Sequence, residues 1–107
     1  PLILSQGGYR TTLYEWPEVS PDGSMIAFTK VDYGTTTPMS LWVMHADGSS
    51  PRWLTPDGVD DYYPTWSPDG SMVAFVRNND LHIVNSDGTN VARVTWNHNS
   101  WYPSWTR

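Results

Sequence analysis

Between residues 63 and 95 the apolar positions fall into four short runs, at 63–67, 71–77, 80–85 and 91–95. Each run is rich in aromatic or β-branched residues and is bounded by turn formers, the pattern of β-strands. No stretch carries a 3.6-residue apolar period with helix caps, so an all-β chain is expected. In the second run Met72, Ala74 and Val76 alternate with Val73 and Phe75. Side chains alternate across a strand, so both faces of this one are apolar. A sheet with two apolar faces needs a neighbour on each side.

The breaks between the runs have turn chemistry. In Ser67-Pro68-Asp69-Gly70, Pro presets φ, Asp can accept a local backbone hydrogen bond, and Gly takes the left-handed position. Asn78-Asn79 suits a two-residue hairpin, since Asn tolerates positive φ. Ala46-Asp47-Gly48-Ser49 and Ser86-Asp87-Gly88-Thr89 read as further hairpins. The four runs therefore form a four-stranded antiparallel meander.

The meander repeats. Val19-Ser20-Pro21-Asp22-Gly23-Ser24-Met25-Ile26-Ala27-Phe28 matches the stretch from Trp66 to Phe75 at an offset of 47. Leu41 to Ser49 matches Leu81 to Thr89 at an offset of 40, so residues 31–39 hold a seven-residue insertion. Tyr102-Pro103-Ser104-Trp105 restarts the pattern of Tyr63-Pro64-Thr65-Trp66. A repeat of about 40 residues, each a two-faced sheet, is satisfied by radial stacking of blades. The fold class expected is thus all-β, a β-propeller segment with two full blades and partial strands at both termini. Residues 1–16 are expected as part-blade strands, 17–55 and 64–95 as blades, and 102–107 as the first strand of the next blade.

The string Pro-x-Trp-Ser-Pro-Asp-Gly-x-x-Val-Ala-Phe, followed by a strand, Asp-Gly-Thr and Val-Thr, resembles the TolB-like β-propeller repeat, a WD-like repeat with a Pro-Asp motif. The resemblance spans residues 16–105. It departs at Glu18-Val19, where the second copy has Thr65-Trp66, and at Thr106-Arg107, where Ser-Pro would follow. It implies a non-enzymatic module that binds a protein or small ligand, in the periplasm or secreted. Related propellers gate serine peptidases, form polysaccharide lyases or bind glycans, and these are the alternatives.

Seven Trp and six Tyr supply much of the core of this 107-residue chain, because each ring can bury about 150–250 Å². The net charge is −5, with six Lys and Arg in no cluster, which argues against a phosphate-tracking nucleic-acid surface. No apolar run reaches the ~18 residues of a spanning helix, so no membrane insertion of that kind is expected. The absence of Cys excludes thiolate sites and disulfides.

No catalytic residue, cofactor or metal site is expected. Gly-x-Ser-x-Gly, His-Glu-x-x-His and Gly-rich phosphate loops are all missing. Asp22, Asp47, Asp69 and Asp87 each precede a Gly and read as turn residues; one carboxylate per turn falls short of the 6–8 oxygens that calcium takes. His45 and His82 fall on third strands, where packing or strand-surface roles are expected. Trp66 and Trp105 share one repeat position and read as packing between blades, whereas Trp16 and Trp101 are candidates for exposure.

In a meander blade the first-to-second and third-to-fourth turns share one end. The second-to-third turns and the connections between blades share the other. The first end holds the repeated Asp-Gly turns. The second holds the variable segments 31–39, 56–63 and 96–102, and function concentrates on loops set by a rigid scaffold. The partner-binding residues expected are therefore Asp32, Tyr33, Asp60, Asp61, Tyr62, His98, Asn99 and Trp101. Asp60-Asp61 is a carboxylate pair able to meet a cation or basic partner, or to cap its loop. Two blades cannot close a ring of the usual 4–8. The chain is expected either to belong to a longer propeller or to associate with itself head-to-tail, three copies giving six blades.

Overall fold

The computed structural model describes residues 2–6, 10–34, 36, 38–55, 58–96, 103 and 105. Among them all regular structure is β. The strands are β1 (Leu2–Gln6), β2 (Arg10–Val19), β3 (Met25–Tyr33), β4 (Ser40–His45), β5 (Arg52–Trp53), β6 (Asp61–Trp66), β7 (Met72–Arg77), β8 (Asp80–Asn85) and β9 (Ala92–Arg93). They form two antiparallel sheets, β1-β2-β3-β4-β5 and β6-β7-β8-β9. The two meanders β2–β5 and β6–β9 are the repeat read from the sequence, built as propeller blades.

The first sheet differs from expectation at one end. Residues 31–33, assigned to a loop insertion, instead prolong β3 and pair with Thr11–Leu13 of β2. That longer ladder makes residues 10–16 continuous with the first strand of the blade, so the division expected at 16/17 falls inside β2. The edge left by the first half of β2 is taken by β1, with Leu2 opposite Tyr14 and Gln6 opposite Arg10. Of the strand expected at 102–107, only Pro103 and Trp105 lie within the described residues.

Each Ser-Pro-Asp-Gly turn is closed by its own side chains. Asp69 Oδ1 accepts from Ser71 N (3.0 Å), Ser71 Oγ (2.7 Å) and Ser67 Oγ (2.8 Å). Ser67 Oγ in turn accepts from Met72 N at 3.0 Å. Asp22 repeats the pattern with Ser24, Ser20 and Met25 at the same distances. Gly70 has φ +75°, a left-handed conformation that costs residues with a Cβ roughly 1–2 kcal/mol. Asn78 and Asn79 both have positive φ, 53° and 62°, as a two-residue hairpin with the right twist requires.

The fourth strands shrink to two residues each because a Thr side chain completes the ladder. Val94 N and Thr95 N both donate to Leu81 O (2.7 and 3.3 Å), while Leu81 N donates to Thr95 Oγ1 at 2.9 Å. Leu54, Thr55 and Leu41 do the same in the first sheet. This is what the recurring Leu-Thr and Val-Thr dipeptides are for.

The core lies between the sheets. Ala27, Leu41, Val43 and Leu54 of the first meet Trp66, Val73, Phe75 and Val84 of the second. Ala74 and Val76, on the opposite face of β7, are also buried. Polar contacts fix the stacking. Trp66 Nε1 donates to Glu18 O (2.8 Å), Asp61 N to Met39 O (3.0 Å) and Arg52 Nη2 to Ser86 O (2.8 Å). Trp105 Nε1 reaches Thr65 O at 3.0 Å, which is the Trp66 contact moved on by one blade.

Among the described residues one ion pair is enclosed. Arg77 Nε and Nη2 grip Asp61 at 2.7 and 2.8 Å, with the Asp61 side chain fully enclosed. Removing one partner strands a charge, so Asp61→Ala is expected to lower stability by about 3–5 kcal/mol in urea melts. The double variant Asp61→Leu/Arg77→Met is expected to recover most of that loss.

The turn carboxylates predict an acid limb of stability. Backbone N–H donation from Ser24 and Ser71, then their hydroxyls, then Ser20 and Ser67, hold Asp22 and Asp69 down to about 2, from an ordinary 3.8. A depressed folded value means that their contribution is complete above about pH 4 and is lost as pH falls toward 2. The melting-temperature gap between the wild type and Asp22→Asn/Asp69→Asn should be constant above pH 5 and close by pH 2.

Candidate functional site

The two ends of the sheets carry clefts of similar size and different chemistry. At the turn end a cleft of about 540 Å³ is bounded by Pro21, Asp22, Arg52, Trp66, Asp69 and Ser86, among others. Several of its polar groups hold the fold together. Asp22 and Asp69 close their own turns, Arg52 holds Ser86 O and the Trp66 indole holds Glu18 O. The same is true of Asp47 and Asp87, whose values hydroxyl and backbone N–H donation from Ser49 and Thr89 pulls below the usual carboxylate range. Gly88 presses against the neighbouring sheet, since a Cβ there would stand 3.2 Å from Leu54 O. These contacts hold the turns and the two sheets together.

At the loop end a cleft of about 490 Å³ is lined by Trp16, Met39, Asp60, Tyr62, Tyr63, Asn78 and Asn79. Three aromatic rings cluster in it. Trp16 and Tyr63 have centroids 4.5 Å apart at 67°, Tyr62 and Tyr63 4.9 Å at 84°, and Trp16 and Tyr62 6.4 Å at 47°. Edge-to-face contacts of this kind hold rings in place without burying them entirely.

The backbone explains why Trp16 and Tyr63 stand there. Both are first-strand residues followed by Pro, at equivalent repeat positions. The β2/β3 ladder breaks register between Glu15 and Glu18, and the β6/β7 ladder between Tyr62 and Thr65. At these bulges Trp16 has φ +51° and Tyr63 φ +59°. Positive φ is unfavourable for a bulky residue, and bulges commonly re-aim a side chain. Here they turn one ring from each blade into the same cleft.

The residues expected from the sequence divide into four groups. Asp60 and Tyr62 line the cleft. Asp60 is exposed, and its Oδ1 accepts from Met39 N at 2.8 Å, joining the inter-blade connection to the end of the first blade's insertion. Asp61 is the correction within the pair: it faces inward to Arg77, so it is a stability residue and presents no carboxylate to a partner. Asp32 and Tyr33 sit on the extension of β3 and do not line the cleft; Asp32 accepts from Thr12 Oγ1 at 2.7 Å, and Tyr33 is exposed. His98, Asn99 and Trp101 lie outside the described residues. Sequence reasoning missed Tyr63, Met39, Asn78 and Asn79, and gave Trp16 only as an exposed aromatic. The aromatic-Pro dipeptide recurring at one repeat position was the signal available for Trp16 and Tyr63.

Among the described residues no three His, Cys, Asp or Glu side chains converge as metal ligands would. His82 is buried, with Nδ1 3.1 Å from Asp80 O and its ring stacked 5.7 Å from Phe75. Asp80 is itself held by Arg93 and Thr95.

Comparison with known proteins agrees with this architecture. Residues 35–102 match the family model of the dipeptidyl peptidase IV N-terminal region. The Tol-Pal system protein TolB of Anaeromyxobacter dehalogenans strain 2CP-C is 60% identical over 47 residues, 44% of this chain and 10% of that protein. TolB of Anaeromyxobacter sp. strain K is 57% identical over the same share. The chain thus spans about a tenth of the length of the curated relatives it matches. A structure described as TolB from Agrobacterium tumefaciens superposes with a TM-score of 0.66 at 29% identity, over 75% of this chain and 32% of that one. TolB from Acinetobacter baumannii gives 0.62 at 22% identity, over 77% and 21%, a likeness of fold. With more than half of its residues matched and its blades superposed, the chain belongs to the family of the dipeptidyl peptidase IV N-terminal region, as a TolB-like β-propeller.

Proposed function

We propose that this chain is a non-enzymatic propeller module that binds a protein partner in the periplasm, using the aromatic cleft at the loop end. One observation carries the reading: two strained bulges, one per blade, bring Trp16 and Tyr63 together beside Tyr62 in an open cleft. Strain of this kind is a pointer to function, and Trp and Tyr are the residues that most often dominate protein interfaces. The relatives named as Tol-Pal system proteins favour a protein partner and an envelope location. A lyase-type or peptidase-type reading finds less support. The two described His residues stand on third strands and do not line the cleft, and the buried carboxylates Asp61 and Asp80 are held by arginines.

The reading is tested by affinity capture from a bacterial envelope extract with the purified protein. Trp16→Ala and Tyr62→Ala should each reduce capture of a specific protein about tenfold or more, the loss typical of a central interface aromatic. Pro21→Ala and Pro68→Ala at the turn end should leave it unchanged. Equal losses at both ends would overturn the assignment of the face.

A ring needs more blades than these two sheets. The contact between Trp66 and Glu18 recurs between Trp105 and Thr65, so the stacking mode can propagate. Further blades come from a longer polypeptide or from head-to-tail copies, three of which would give six blades. Sedimentation equilibrium of the 107-residue chain at micromolar concentration separates these. A trimer mass supports self-assembly, and a folded monomer removes it.

A further inference from the structure

Three cationic side chains of this protein rest on aromatic rings. Lys30 Nζ lies 4.9 Å from the centroid of Trp42, Arg77 Cζ 5.5 Å from Phe75 and Arg93 Cζ 5.4 Å from Trp96. Trp16 and Tyr62 differ: neither has a Lys or Arg over its ring among the described residues. Their rings, tilted by 47° at 6.4 Å, bound the loop-end cleft together. Trp16 is 38% exposed, so its surface is open to a ligand.

The rest of the cleft suits the same charge. Asp60 is exposed at its edge and uses Oδ1 on Met39 N; Oδ2 bonds no described residue. Asn79 adds an exposed amide, and among the described residues no Lys, Arg or His lines the cleft. The whole chain carries −5, which attracts cations toward it. Ring faces attract cations through their quadrupole, and more so when a carboxylate stands beside them.

We propose that this cleft receives an arginine side chain of the protein partner, its guanidinium stacked on Trp16 and Tyr62 and its N–H groups donating to Asp60 and Asn79. The inference rests on the loop end being the binding face. Arginine fits better than lysine because its planar head can stack and donate several hydrogen bonds at once.

The test titrates acetyl-glycyl-arginyl-glycinamide into the ¹⁵N-labelled protein and follows the Trp16 indole and Asn79 amide signals. The citrulline peptide, equal in shape and uncharged, is the control. The arginine peptide should shift both signals saturably and bind about tenfold more tightly than the citrulline peptide. Asp60→Asn keeps an acceptor for Met39 N and removes the charge, and should weaken arginine binding severalfold at an unchanged melting temperature. Tyr62→Leu should do the same by removing a ring face. Equal affinity for the two peptides, shifts confined to the turn end, or an Asp60→Asn variant that binds as the wild type does would each overturn the proposal. If protein capture depends on the loop end while the arginine peptide fails, only this inference falls and the binding face stands.

Discussion

The indole of Trp66 decides how one blade sits on the next. Its ring fills the space between the sheets, and its N–H ends on Glu18 O of the preceding first strand. A buried indole N–H without an acceptor would be costly, so the bond fixes one translational and rotational setting of the two sheets. The other contacts between the sheets follow from that setting: Arg52 to Ser86 O, Asp61 N to Met39 O, and Gly88 against Leu54 O. Trp105 on Thr65 O shows that the device belongs to the repeat and not to one pair of blades. At the matching position of the first blade stands Val19, exposed and unable to donate from its side chain.

The two ends of the blades solve opposite problems with similar residues. At the turn end each carboxylate satisfies N–H and hydroxyl donors within five residues of sequence, so the turns need nothing from outside. At the loop end the connections differ between the blades, and contacts run across the sequence, as from Asp60 to Met39. The bulky residues with positive φ, Trp16 and Tyr63, stand there too, whereas at the turn end the small or amide residues Ser50 and Asn90 take that conformation. A rigid, self-satisfied end supporting a strained, aromatic one is an arrangement suited to holding a binding surface in place.

The repeats are not chemically equal inside. Offset by 47 residues, Tyr14 and Lys30 of the first blade correspond to Asp61 and Arg77 of the second. Tyr14 packs edge-on against Phe28 and Lys30 covers Trp42, whereas Asp61 and Arg77 form an enclosed ion pair. Thr29, where the second blade has Val76, leaves a buried hydroxyl without a partner. Sequence similarity at turns and core positions therefore coexists with different polar solutions beside them.

The sequence by itself determined the repeat, the strands, the turn types and the need for a covered sheet on both sides. These depend on local φ preferences, on alternation and on self-contained hydrogen bonds, which are properties of short segments. It also pointed to the loop end, since the topology of a meander assigns each connection to an end. Which loop residues meet was decided only by the tertiary structure. Asp60 and Asp61 are neighbours in sequence, yet one faces the cleft and the other is locked to Arg77, because consecutive residues entering a strand point to opposite sides. Residues 31–33 became strand because β2 offered them a ladder partner. Trp16 and Tyr63, 47 positions apart, have ring centroids 4.5 Å apart because two bulges and one stacking geometry aimed them at the same space; the recurring aromatic-Pro dipeptide marks the two positions, but only long-range packing makes them meet.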